Sequence, residues 1–327
     1  MLIDNHNRQI NYLRLAVTDR CNLRCNYCMP AEGINFLNSD KLLTISELCK
    51  LSEVLVGQGI DKIRITGGEP FVRKDLMILL RHLSGLTDLK DVSITTNATL
   101  IGPHIDELKR LGIQNINLSL DAIQRETFNT ITRRDQYDTV FENLQRLISE
   151  EFNLRINFIV LEGQNIDDIL PMMELQRNHP LSVRFLEEMP FNGGSRHFEA
   201  ISWNYKKILN YIGEHFPDYD QLPSPPTSTS INYKIKGHKG SFGLIPSFSR
   251  TFCGSCNRLR ISASGDIITC LYGQPVLNLR DLLRNQNEKL AVQEAILEAI
   301  GNRAKTGFEA QNQNKSVFET SMTSIGG

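Results

Sequence analysis

Short runs rich in apolar and β-branched residues recur through the first two thirds of the chain. They fall at Tyr12–Val17 (YLRLAV), Lys62–Thr66 (KIRIT), Val92–Thr96 (VSITT), Asn115–Leu120 (NINLSL), Leu154–Val160 (LRINFIV) and Ser182–Leu186 (SVRFL). Each run predicts a strand. Between them the apolar spacing turns helical, most clearly over Ile45–Gly57. There Thr44 and Glu47 make a capping box ahead of Ile45, Leu48, Leu51, Leu55 and Val56. Further helices are predicted near Leu76–Leu83, Pro103–Leu111, Thr139–Glu150 and Ile166–Arg177. This repeating strand–helix pattern predicts an α/β fold with a parallel sheet. Six units fall short of a closed eight-stranded barrel, so the expected architecture is a partial (βα)6 TIM-type barrel, with an open doubly wound sheet as the alternative. In both, ligands bind at the carboxyl ends of the strands.

After about residue 190 the pattern changes. Phe191–Arg196 is glycine-rich, Ser202 is placed to cap a helix reaching His215, and Leu222–Ser230 (LPSPPTSTS) predicts a loop. Strand-like pieces follow at Ile231–Lys236, Phe242–Pro246, Leu259–Ser262 and Asp266–Cys270, then a helix over Lys289–Asn302 and a polar tail ending Ile325-Gly326-Gly327. Two domains are therefore expected, 1–190 and a smaller 191–327.

Composition narrows the function. The 327 residues are 40% hydrophobic and 22% charged, which excludes wholesale disorder. Thirty-six Lys and Arg against 37 Asp and Glu leave a net charge of −1, so no global basic field exists for nucleic acid. No apolar run reaches the roughly 20 residues of a membrane span. The opening MLIDNHNRQINY lacks the apolar core of a secretion signal, so a cytoplasmic location is expected. Seven cysteines then point to metal or redox chemistry, because six of them form two groups of three. Cys49 stands apart and reads as a helix thiol.

Cys21, Cys25 and Cys28 follow the first strand as C-x-x-x-C-x-x-C. Three local thiolates can hold three irons of an iron–sulfur cluster and leave a fourth open. A zinc knot with a distant fourth ligand is the other reading. The spacing, with Tyr27 before the last cysteine, resembles the radical S-adenosylmethionine (SAM) enzymes. The segment Gly67-Gly68-Glu69-Pro70 after the second strand resembles that superfamily's second motif. Membership implies a [4Fe–4S] cluster whose open iron takes the amino and carboxylate groups of SAM, with Glu69 facing the ammonium. It further implies SAM contacts from Tyr27, Gly68, Ser119 and Met189.

Cys253, Cys256 and Cys270 form the second group, and by themselves they suit zinc with His238 as fourth ligand. Arg258 and Arg260 follow at strand period, however, placing two guanidinium groups on one face beside the metal. The two cysteine spacings, the R-x-R and the terminal Gly-Gly together resemble the GTP 3′,8-cyclases of molybdenum cofactor biosynthesis. That resemblance implies a second [4Fe–4S] cluster and a GTP site made by Arg14, Lys62, Arg64, Thr95, Arg184, Arg258 and Arg260. Arg155 stands where the family's lysine is expected, a change of geometry at constant charge. Arg14 is implied at the reacting centre, and the tail is implied in the active site. The implied reaction uses the 5′-deoxyadenosyl radical to take the ribose 3′ hydrogen of GTP, after which that carbon bonds to purine carbon 8. A homodimer is implied, as is a cyclic pyranopterin monophosphate synthase that receives the product. Competing readings are a radical SAM enzyme acting on a peptide and a non-catalytic zinc or iron–sulfur protein.

Overall fold

The computed structural model describes residues 1–194, 198, 200–284, 288–314 and 320–326. All six expected strands form: β1 (Tyr12–Ala16), β2 (Lys62–Thr66), β3 (Asp91–Thr96), β4 (Asn115–Ser119), β5 (Asn153–Ile159) and β6 (Ser182–Leu186). They pair in that order and in parallel. Leu13, Leu15, Ile63, Ile65, Ile94, Ile116 and Leu118 are fully buried in the core. The alternate positions Tyr12, Arg14, Lys62 and Arg64 line a cavity instead. Apolar residues on one face and cations on the other thus follow directly from the period-two pattern.

Helices α1 (Ile45–Gly57), α2 (Leu76–Ser84), α3 (Ile105–Arg110), α4 (Arg125–Thr132), α5 (Tyr137–Ser149) and α6 (Ile169–Asn178) join the strands. The expected capping box is present: Glu47 N donates to Thr44 Oγ1 at 3.2 Å and Thr44 N to Glu47 Oε2 at 2.7 Å. Helix α4 has no counterpart in the sequence reading, because RETFNTIT buries little beyond Phe128 and Ile131. Helix α7 (Tyr205–His215) is capped by Asn204, which accepts from Lys206 N and Lys207 N, rather than by Ser202.

The strands after residue 190 do not form a sheet of their own. β7 (Tyr219–Gln221), β8 (Ile231–Ile235), β9 (Ser241–Ile245), β10 (Arg258–Ile261), β11 (Asp266–Ile268) and β12 (Leu277–Asn278) extend the first sheet at both margins. The order is β12-β11-β10-β1-β2-β3-β4-β5-β6-β9-β8-β7 among the described residues. β10 runs parallel to β1, and β9 parallel to β6. Without them β1 and β6 would be apolar edges with unpaired backbone; the antiparallel strands outside them then blunt the new margins. The remaining helices are α8 (Arg280–Arg284), α9 (Glu288–Gly301), α10 (Gly307–Gln313) and α11 (Met322–Ile325). A small second core of Phe191, Ile268, Tyr272, Ala310 and Ile325 seats the tail beside the sheet. Among the described residues no helix is long and apolar enough to cross a membrane.

Candidate active site

The loop after β1 carries the first cysteine group and is pinned by the loop after β2. Gly68 N donates to Thr18 O at 2.9 Å and Glu69 N to Arg20 O at 2.8 Å. A Cβ on Gly68 would lie 2.3 Å from Arg20 O, so only glycine permits this seating. The close approach is therefore to the cysteine loop of the chain itself. Glu69 is fully buried and accepts from Phe71 N (3.1 Å), Thr96 Oγ1 (2.8 Å) and Asn97 N (2.7 Å). It ties β2 to β3 instead of standing free before an ammonium group. Asn97 in turn points Nδ2 at Cys21 Sγ, 3.7 Å away. The Tyr27 hydroxyl donates to Asp121 Oδ2 at 2.7 Å, fixing the ring beside its cysteine neighbours.

Burial pushes the Cys21 thiol up to about 12 and Cys28 up to about 11, and Cys25 also rises. Three gathered thiols that resist ionising alone fit a donor set that ionises against a metal cluster. Among the described residues no three His, Cys, Asp or Glu side chains converge on a single ion. A cluster that assigns each thiolate its own iron has no need of such convergence.

Burial likewise pushes Glu69 up to about 7 and Asp121 up to about 6. A carboxyl whose folded pKa exceeds its unfolded one binds more protons when folded. In the cluster-free protein these two carboxyls are thus expected to make stability fall as pH rises from the ordinary carboxylate range to about 7. Thermal melts across that window check this. Glu69→Gln is expected to remove about half of the slope, Asp121 supplying the rest below about pH 6, and an unchanged slope would place the titration elsewhere.

The second group lies across a cavity of about 460 Å³. Cys253 and Cys256 bracket a short turn before β10, Cys270 follows β11, and all three line the cavity. Gly307 N, at the start of α10, donates to Cys253 Sγ at 3.4 Å. Arg303 Nη2 lies 3.0 Å from Cys256 Sγ and Arg258 Nη1 3.9 Å from it. Burial raises the Cys256 thiol, but the two guanidinium groups outweigh burial and bring it down to about 7. His238 is not the fourth ligand the zinc reading needs. It occupies the turn between β8 and β9, edge-on to Phe216 at 5.9 Å, and does not line the cavity.

Arg14, Lys62, Arg64, Thr95, Arg155, Arg184, Arg258 and Arg260 all line this one cavity, as does Met189. Tyr27, Gly68 and Ser119 do not; Tyr27 and Gly68 surround the first cysteine loop, and Ser119 ends β4. The strand register sets Arg260 opposite Arg14 and Arg14 opposite Arg64. Like charges in direct opposition are destabilising, and among the described residues no Asp or Glu lines the cavity to relieve them. Nε of Arg14, Arg64, Arg184 and Arg258 and Oγ1 of Thr95 are buried without partners. Burial, with repulsion from Arg155 and Arg64, pulls Arg184 down to about 9. Buried, partnerless nitrogens on guanidinium groups crowded in this way call for a bound polyanion. Four of the cations also have other partners: Lys62 pairs with Asp91, Arg155 Nη1 donates to Asn115 Oδ1 at 3.3 Å, Arg258 Nη2 to Thr227 O at 2.7 Å and Arg260 Nη1 to Gly326 O at 2.7 Å.

The tail crosses between the two cysteine groups. Ser321 Oγ donates to Cys28 O at 2.9 Å, and Arg260 Nη1 donates to Gly326 O at 2.7 Å. Gly327 lies outside the described residues. Arg250 and Arg303 also line the cavity. Sequence reasoning missed both, since each is a lone cation in a loop with no spacing to mark it. Arg250 is sandwiched between Tyr272 and Phe308, 3.6 and 4.2 Å from the ring centres.

Two known families match successive parts of the chain. Residues 15–175 match the Radical SAM superfamily and residues 181–309 match Molybdenum Cofactor Synthesis C. The mitochondrial GTP 3′,8-cyclase of Arabidopsis thaliana is 38% identical over 334 residues, covering 100% of this chain and 84% of its own. Molybdenum cofactor biosynthesis protein 1 of Drosophila melanogaster is 39% identical over 92% of this chain, which spans about half (52%) of that relative's length. The crystal structure of Streptococcus suis SuiB bound to S-adenosylmethionine shares the fold, with a TM-score of 0.64 at 15% identity over 90% of this chain and 68% of its own. With two cysteine triads, an arginine-lined cavity at the second of them and a relative matched over most of both chains, this chain belongs to the GTP 3′,8-cyclase family of radical SAM proteins.

Proposed function

We propose that the chain converts GTP to 3′,8-cyclo-7,8-dihydroguanosine 5′-triphosphate, the first step of molybdenum cofactor biosynthesis. The observation that carries this reading is the in-register row Arg260–Arg14–Arg64, with no carboxylate in its cavity among the described residues and bordered by the second cysteine triad. When bound, a [4Fe–4S] cluster at Cys21, Cys25 and Cys28 supplies the electron that cleaves SAM to the radical that takes hydrogen from ribose.

The residues of the chain then bind, orient and shield. Tyr27, Gly68, Ser119 and Met189 hold SAM. Arg64 and Arg184, with Lys62, Thr95 and Arg155, neutralise the triphosphate, whose charge offsets the repulsion among them. Cys253, Cys256 and Cys270 hold the second [4Fe–4S] cluster at the guanine end, where Arg258 and Arg260 fix the base. Arg14, between Arg260 and Arg64 in register, is assigned to the reacting centre, where it supplies positive charge and a proton donor. Such fixing of two substrates is worth several powers of ten in rate.

The parallel row is read as a partial (βα)6 barrel, because its cavity takes side chains from β8 and β9 at one margin and β10 at the other. Residues 1–190 form the radical-generating unit and 191–327 the second-cluster domain. A cytoplasmic homodimer that passes its product to a cyclic pyranopterin monophosphate synthase completes the proposal.

The test is anaerobic. The chain is reconstituted with iron and sulfide and given dithionite and SAM, and 5′-deoxyadenosine is measured with and without GTP. GTP-dependent formation alongside a product isomeric with GTP is expected. Formation indifferent to GTP would overturn the substrate, and none at all would overturn the radical chemistry.

A further inference from the structure

Resting on the reading that Cys253, Cys256 and Cys270 hold an iron–sulfur cluster, we infer that Arg303 and Asp4 set its reduction potential as an opposed pair of buried charges, Arg303 raising it and Asp4 restraining it. Arg303 is 4% exposed, and four of its five donors are spent on the second cysteine group or its neighbours, the fifth meeting Asp4. Nη2 meets Cys256 Sγ at 3.0 Å and Arg258 O at 2.9 Å, Nη1 meets Cys256 O at 3.1 Å, and Nε meets Thr269 O at 2.9 Å beside Cys270. One guanidinium thereby touches a cluster sulfur directly and grips the backbone at two of the three ligands.

Asp4 is its counter-ion. The Asp4 side chain is wholly buried, with Oδ2 3.4 Å from Arg303 Nη1 and 2.6 Å from Arg8 Nε. Arg8 continues the chain of contacts by donating Nη1 to Cys253 O at 3.0 Å. Around the first triad the groups differ: the neutral Asn97 and Ser321 face its sulfurs, the buried carboxylates Glu69 and Asp121 lie close by, and Arg24 Nη1 donates to Cys21 O at 2.6 Å. Hydrogen bonds to sulfur and local net charge are the levers by which a protein tunes an iron–sulfur potential. A cation at 3.0 Å favours the reduced, more negative cluster. Arg303 thus makes the second cluster easier to reduce, and Asp4 limits by how much.

The experiment is a potentiometric titration of the reconstituted full chain followed by electron paramagnetic resonance. A Cys21→Ala/Cys25→Ala/Cys28→Ala chain identifies the second cluster's signal. Arg303→Gln keeps amide donors but removes the charge. It is expected to weaken reduction of that cluster about tenfold, ~59 mV to the negative for a one-electron couple. Asp4→Asn is expected to move it the opposite way, and Arg303→Lys to stay nearer the parent than Arg303→Gln. Opposite signs are what a merely structural clamp would not produce. Shifts of the same sign, or none, with four irons still bound at the second site, would overturn the inference. If Arg303→Gln does not fold, the positive shift of Asp4→Asn decides. A triple-alanine chain that binds no four-iron cluster would instead overturn the underlying reading.

Discussion

Cys253→Ala is expected to abolish cyclisation of GTP while the chain still cleaves SAM to 5′-deoxyadenosine. The expectation rests on the separation of the two triads. Cys21, Cys25 and Cys28 sit in the loop that Gly68 and Glu69 pin to β1 and β2, and none of those contacts involves Cys253. Cys253 belongs to a different scaffold, the turn before β10, held by Gly307 N on its sulfur and Arg8 on its carbonyl. Removing the thiol leaves the first loop intact and takes away one of the three ligands at the guanine end. Lost substrate positioning of this kind costs at least about 100-fold, and losing the ligand set with it should bring product below detection. Iron content, 5′-deoxyadenosine and the cyclised triphosphate are measured on the same sample. Unchanged cyclisation would remove the second triad from substrate binding.

Much of this arrangement is legible in the sequence, for identifiable reasons. The six strands are found because each is a short run rich in apolar and β-branched residues set between helical patterns. Arg14 and Arg64 stand out because arginine at the opposite phase of such a strand needs an anion to be there. What periodicity cannot show is which strand pairs with which. The segments around Phe242 and Leu259 look like parts of a separate unit, yet they supply the strands that continue the parallel row beside β6 and β1. Single residues whose role comes only from tertiary contact are equally silent. Asp4 and Arg303 are 299 residues apart, and nothing local marks either as a neighbour of Cys256. Glu69 is the reverse case: its motif is recognisable, but the motif does not show that its carboxylate ties Phe71, Thr96 and Asn97 together.

Deleting Gly326 and Gly327 is expected to lower cyclisation by about 100-fold, the cost of misplacing a bound substrate, with little change in the melting temperature. Gly326 contributes a carbonyl that accepts from Arg260 Nη1 at 2.7 Å, so the tail fixes one guanidinium of the Arg260–Arg14–Arg64 row. Without that acceptor Arg260 is free to reorient away from Arg14, and the base end of the cavity loses its shape. The stability cost is small because one hydrogen bond is worth about 1 kcal/mol net, and Ile325, which seals the second core, is retained. Glycine is required there on two counts. Its φ is +71°, and a Cβ would lie 2.9 Å from Ala16 Cβ and 3.0 Å from Thr66 Oγ1. Gly326→Val should therefore reproduce much of the deletion's loss, although the chain keeps its length. Cyclisation assays and thermal melts on both variants separate the causes. Activity lost in the deletion but kept in Gly326→Val would mean that the tail acts by filling space alone. Full activity in both would detach the tail from Arg260 and from the reaction.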